Sequence, residues 1–196
     1  MSPIKNVIVA GVIHPSPTQP TQSLTPSKAT GNLGPAVLSS LLASPSNFTI
    51  SILTRSPSTP VPAGVTAIQT DYTPSSLLLA LHGQDAVIST IGALGTLTQI
   101  ALIDAAVAAG VKRYIPSDYA PNTPTLGEME EVLPELYMRL KPKIRVLEYL
   151  KEMAGKHEGF SWTGVGCGPL FDWVSSTSFS SKPNLEGQLT KGCHRH

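Results

Sequence analysis

The chain has 196 residues, 41% of them apolar and only 14% charged, with a formal net charge of +1. That length suits one domain with a sizeable core, and the balanced charge without a basic run excludes an electrostatic nucleic-acid binder. No apolar run is long enough to span a bilayer and the first residues do not read as a secretory leader, so a cytoplasmic protein is expected.

Ile4–Ala10 (IKNVIVA) reads as a buried first strand, followed at once by Gly11. Val12–Lys28 then changes character: four prolines and six Ser/Thr, with no glycine and no acid, leave no periodic apolar face. Such a segment is expected to be a disordered insertion. Leu33–Ala43 is the first helix, with Gly34-Pro35 at its start, where proline's missing N–H costs nothing. Phe48–Thr54 and Val65–Gln69 are β-branched strands. Thr73-Pro74 opens a second helix as cap and first helical residue, and Gly83 closes it.

Asp85–Thr90 is the fourth strand, Thr96–Ala109 a helix ended by Gly110, and Val111–Pro116 the fifth strand. Residues 127–140 are expected to be helical with a break near Pro134. A separate helix follows from Pro142 to Lys156, because the residue before a proline is pushed out of the helical region. Phe160–Val165 is the sixth strand, and from Val174 onward periodicity is lost. Strands alternating with helices predict an α/β fold, a doubly wound parallel sheet of the Rossmann type with strand order 3-2-1-4-5-6. The expected organisation is a dinucleotide-binding domain over 1–173, carrying the insertion at 12–28, and an irregular tail over 174–196.

Removing Val12–Lys28 joins Gly11 to Ala29-Thr30-Gly31-Asn32-Leu33-Gly34, which is a strand–GxxGxxG–helix junction. A dinucleotide needs that arrangement: a tight turn, a backbone without Cβ where the diphosphate approaches, and free N–H groups opening the helix. Closing a loop of about seventeen residues costs roughly 2–3 kcal/mol, which a domain tolerates if the segment loops outward. Arg55 stands directly after the second strand, where arginine accommodates a 2′-phosphate and an acid would bind a ribose hydroxyl, so NADP is expected over NAD. Cys167 and Cys193 give neither a disulfide framework nor a metal-ligand spacing, and no metal is expected. Tyr137 and Lys141 are spaced as a phenol–ammonium pair in which the cation readies the phenol for proton transfer, although Pro142 opposes their sharing one helical face.

The text VIVAG…ATGNLG, ILTRS, QTDY, DAVISTIG, QIALIDAAVAAGVKRYIPSDYA, KPKIRVLEYL and SWTGVGCGPLFDW resembles the NmrA-like and isoflavone-reductase-like branch of the atypical short-chain dehydrogenases. The resemblance covers roughly residues 4–173 apart from the insertion. It implies an NADPH-dependent oxidoreductase transferring hydride to a small organic, often aromatic, substrate. It further implies that Gly11, Thr30, Gly31, Asn32, Leu33 and Gly34 form the phosphate loop, that Arg55 meets the 2′-phosphate, and that Asp71 lies near the adenine. Ile91 and Gly92 would line the cofactor cleft, with Ser117 and Asp118 beside the nicotinamide. Lys141 matches a general acid/base or cofactor-orienting lysine, and Phe171 and Asp172 fall where the substrate loop begins.

Members of this group usually continue for another hundred or so residues that build much of the substrate subdomain, which is expected to be largely missing here. Three readings stay open at this point: a reductase, a non-catalytic NADP-binding redox-sensing regulator with a protein partner, and an inactive truncated product.

Overall fold

The computed structural model describes residues 3–11, 33–56, 61–92, 95–119, 130 and 134–166. The elements run β1 (Asn6–Ala10), α1 (Gly34–Leu42), β2 (Thr49–Thr54), β3 (Val65–Gln69), α2 (Pro74–Leu81), β4 (Ala86–Ser89), α3 (Thr98–Ala108), β5 (Arg113–Ile115), α4 (Pro134–Lys156) and β6 (Ser161–Trp162). The six strands form one sheet in the order β3-β2-β1-β4-β5-β6, and every pairing is parallel. This is the Rossmann arrangement that the alternation of strands and helices predicts. The expected insertion at 12–28 and tail at 174–196 lie outside the described residues.

Parallel strands covered on both faces need apolar side chains on both, and Val7–Ala10 is buried without interruption. One face of the sheet carries Ile8, Ala10, Leu53, Val87 and Tyr114 under α2, α3 and α4. The other carries Val9, Ile50, Ile52 and Val65 under Leu38 of α1. The caps act where the sequence predicts them. Thr73 Oγ1 accepts from the Ser76 N–H at the start of α2, and Gly83 and Gly110 leave α2 and α3 at φ +77° and +76°, values that suit a residue lacking Cβ.

Two expectations are corrected. The first, fourth and fifth strands begin one or two residues later than their apolar text, where Asp85 gathers their starts: its carboxylate accepts from the N–H groups of Lys5 and Asn6, and its carbonyl from those of Lys112 and Arg113. The second correction concerns Pro142, which lies inside one continuous helix rather than opening a new one. A proline inside a helix forfeits one backbone hydrogen bond. Val146 and Leu150 are buried in the core, with Leu147, Met153 and Ala154 packed against it, and that burial outweighs the single lost bond. Among the described residues no helix is long and apolar enough to cross a membrane.

Candidate functional site

In an open parallel sheet the crevice lies at the carboxyl ends of the strands, where neighbouring crossovers leave in opposite directions. Here that point falls between β1 and β4. Gly11 follows β1 and is buried, while Ile91 and Gly92 follow β4, the first buried and the second exposed. The two strand ends are tied together, since both the N–H and the hydroxyl of Thr90 donate to the Ala10 carbonyl, at 2.6 and 3.2 Å.

Beyond β5, Ser117 and Asp118 are both buried. The Ser117 hydroxyl donates to the Ile91 carbonyl at 2.8 Å, and its N–H donates to Gln99 Oε1 at 2.9 Å. The hydroxyl of Ser117 therefore joins the ends of β4 and β5, and its N–H ties the end of β5 to the first turn of α3. Gln99, almost wholly buried in the first turn of α3, is a member of the site that the sequence reading missed. A lone amide in a mainly apolar helix is the signal available for it.

Asp118 is the opposite case. Its side chain is 8% exposed, yet Oδ1 has no hydrogen-bond partner. Burial pushes this carboxyl above its ordinary range, and the Lys143 ammonium on α4 pulls it partly back. A buried acceptor without a donor is costly unless something supplies one. The hydroxyl of Ser89, at the end of β4, is also buried and makes no hydrogen bond of ordinary geometry.

On the other side of β1, Arg55 leaves the end of β2 exposed and makes no salt bridge among the described residues. Its guanidinium lies over the Tyr72 ring, 4.9 Å from the centroid. The Tyr72 hydroxyl in turn donates to the Gly11 carbonyl at 3.4 Å. Asp71 is engaged locally: its carboxylate accepts from the N–H and hydroxyl of Thr73 at 2.9 and 2.7 Å, which hold it below the usual carboxylate range. Its carboxylate thus braces the start of α2.

α1 begins with Gly34 after a half-buried Leu33; among the described residues no side chain caps it, and no acid stands in its first turn. The first-turn N–H groups of a helix have no partner within the helix, and Pro35 contributes none. Thr30, Gly31 and Asn32 of the expected phosphate loop, and Phe171 and Asp172 of the expected substrate loop, lie outside the described residues, as do both cysteines. Tyr137 and Lys141 were expected to be set apart by Pro142. The continuous helix instead places them four residues apart on one face, with Lys141 Nζ 6.0 Å from the Tyr137 ring centroid. Lys141 is exposed and Tyr137 half-buried.

Among the described residues, this rim carries a cation at β2 with no carboxylate partner, a helix start after β1 with no side-chain cap, and an orphaned buried acceptor after β5. Comparison with known proteins gives the same direction. A model of the NmrA-like family matches residues 21–188. Oxidoreductase poxI of Penicillium oxalicum is 38% identical over 151 residues, which are 77% of this chain and 46% of that protein. The isoflavone reductase homolog IRL of Zea mays is 33% identical over 110 residues, 53% of this chain and 36% of that protein. Among solved structures, the binary complex of leucoanthocyanidin reductase with NADPH from Vitis vinifera superposes with a TM-score of 0.58 at 25% identity, covering 83% of this chain and 47% of that one. The chain spans about half the length, or less, of the curated relatives it matches.

Proposed function

The chain belongs to the NmrA-like family, and on that premise we propose that it binds NADP(H) across the carboxyl ends of β1 and β4 and serves as an NADPH-dependent oxidoreductase for a small organic substrate. The observation that carries the reading is Arg55, a cation at the end of β2 with no carboxylate partner among the described residues. A guanidinium there matches a 2′-phosphate in charge and in forked geometry. The uncapped start of α1 suits the diphosphate, and the orphaned Asp118 Oδ1 suits a donor such as an amide or hydroxyl. The residues present therefore fit the dinucleotide. Leucoanthocyanidin reductase carries NADPH on the same fold, which supports the assignment.

When bound, NADPH supplies the hydride. The protein's own part is to orient and to manage a proton. Lys141, an ammonium carried on α4, is the proposed proton donor to the reduced group, with Tyr137 beneath it on the same helical face. Asp118, drawn on by the Lys143 charge, is proposed to hold the reacting end of the cofactor. Phe171 and Asp172 are proposed to meet the substrate.

Titration with NADPH and with NADH, by fluorescence or calorimetry, tests the reading. The expected result is a preference for NADPH that Arg55→Ala reduces by about 30- to 100-fold, as loss of a charge-assisted phosphate contact of roughly 2–3 kcal/mol demands. Failure of NADPH to bind either to the chain or to a version lacking residues 12–28 sinks it. Binding restored only by that deletion identifies the insertion as the interruption of the phosphate loop. Binding without turnover of carbonyl or aromatic-ether substrates, in a chain whose Lys141→Ala variant binds equally well, favours the regulatory reading.

A further inference from the structure

Tyr72 is one of two non-glycine residues with positive φ among those described, at +65°. Residues bearing a Cβ adopt this conformation rarely, and a bulky aromatic is among the least suited to it. The turn that imposes it is well tied. The Tyr72 N–H donates to Thr70 Oγ1 at 3.1 Å, and the next residue, Thr73, is held by the Asp71 carboxylate. Its effect is directional, because the side chain turns back from the outermost strand, β3, across β2 toward β1. Two strand spacings, roughly 10 Å, separate those strands. At one end of the reach the Arg55 guanidinium lies over the ring, and at the other the hydroxyl meets the Gly11 carbonyl. A single half-buried side chain thereby joins the cation after β2 to the first residue of the β1–α1 connection.

The geometry points to Tyr72 as the positioning residue that sets the preference for NADP over NAD, by holding the Arg55 guanidinium on its ring face and aiming it toward the start of the phosphate loop. This rests on the cofactor reading above and adds to it a residue outside the glycine-and-arginine pattern. The reason is entropic. An exposed arginine side chain loses several rotors when it fixes a phosphate, and a ring that already holds it lowers that cost. NAD lacks the phosphate on which a fixed guanidinium would act, so the effect belongs to NADPH alone.

Three chains decide the matter: the unaltered protein, Tyr72→Phe and Tyr72→Asn. Phenylalanine keeps the ring and loses only the hydroxyl. Asparagine removes the ring but tolerates the left-handed backbone, so the turn survives. Dissociation constants for NADPH and NADH are measured on each, with a thermal melt to confirm folding. Tyr72→Phe should keep the NADPH/NADH ratio within about twofold, and Tyr72→Asn should lower it by about tenfold, the scale of a partly desolvated cation–π contact. The whole change should lie in NADPH, with NADH unmoved. An unchanged ratio in a folded Tyr72→Asn protein overturns the inference and leaves the cofactor reading standing. Parallel losses for both nucleotides also overturn it, since they mark a merely structural role. Failure of the unaltered chain to bind NADPH overturns both.

Discussion

The two rims of the sheet are built from similar residues and are in opposite physical states. At the amino rim Asp85 is saturated: Oδ2 accepts from Lys5 N and Asn6 N, both at 2.9 Å, and Oδ1 accepts from Lys112 Nζ at 2.5 Å. Its own N–H donates to the Asn6 carbonyl, and Asn6 Nδ2 donates to the Gly83 carbonyl. One carboxylate thus ties the starts of β1, β4 and β5 together, with Gln84 Oε1 the one buried side-chain atom near it left without a partner. At the carboxyl rim Asp118 Oδ1 is buried and unpartnered, and the buried hydroxyls of Ser89 and Tyr114 lie close to each other without forming a hydrogen bond of ordinary geometry. Buried polar atoms are normally satisfied, so the contrast separates a rim whose carboxylate is fully engaged from one that keeps an unsatisfied buried carboxylate oxygen.

Removing the two aspartates should therefore give unequal results. Asp85→Ala strips three hydrogen bonds to a charged group and should lower stability by about 3 kcal/mol, seen as a melting temperature lower by roughly 10 °C. The acid limb follows from the same contacts. The amide of Asn6, the Lys112 ammonium and the amide of Lys5 hold the Asp85 carboxyl at about 2, against an ordinary value of 3.8. A depressed folded value means that the contribution is complete above about pH 4 and is lost as pH falls toward 2. In Asp85→Asn that part of the acid unfolding curve should flatten. An unaltered curve would show that the clamp carries no linkage.

Asp118 has the reverse sign. Its folded pKa is raised by burial, so it favours the native state when protonated and opposes it progressively as pH rises beyond the ordinary carboxylate range. Asp118→Asn should then be neutral or stabilising by up to about 1 kcal/mol at pH 7, because it removes a buried charge that lacks a donor. Urea denaturation at pH 7 reads this directly. A loss as large as that of Asp85→Ala would mean that both carboxylates hold the fold, and the contrast between the rims would disappear.

What the sequence revealed was whatever is local. The strand order follows from alternation and handedness, the Thr73 cap from the proline that follows it, and Arg55 from its place one residue beyond a strand. What escaped was whatever joins distant segments. Asp85 reads as the first residue of a strand, and nothing nearby reveals that its carboxylate serves amides 79 and 80 positions earlier. Tyr72 meets Gly11 across 61 positions, and Gln99 meets Ser117 across 18. Pro142 misled for the same reason: local sterics argue for a break, and the burial of Val146 and Leu150 in the core decides otherwise. At the site, both ends of the split glycine motif were legible, and the structure adds the ring that joins one of them to Arg55.

The smallest expected effect is the most discriminating. Tyr114 is wholly buried between β4 and β6, paired in register with Val87 and Trp162, and burial pushes its phenol far above the ordinary range. It stays neutral at any pH the protein meets, so charge plays no part in a substitution there. Tyr114→Phe keeps the packed ring and deletes an oxygen that makes no hydrogen bond of ordinary geometry, although the Ser89 hydroxyl lies close to it. A satisfied buried hydroxyl contributes about 1 kcal/mol, and an unsatisfied one imposes a penalty of similar size. The variant should therefore melt at the same temperature or a few degrees higher. A stability loss of more than about 1 kcal/mol would show that the Ser89 and Tyr114 hydroxyls bond to each other, and the contrast between the rims would then rest on Asp118 alone.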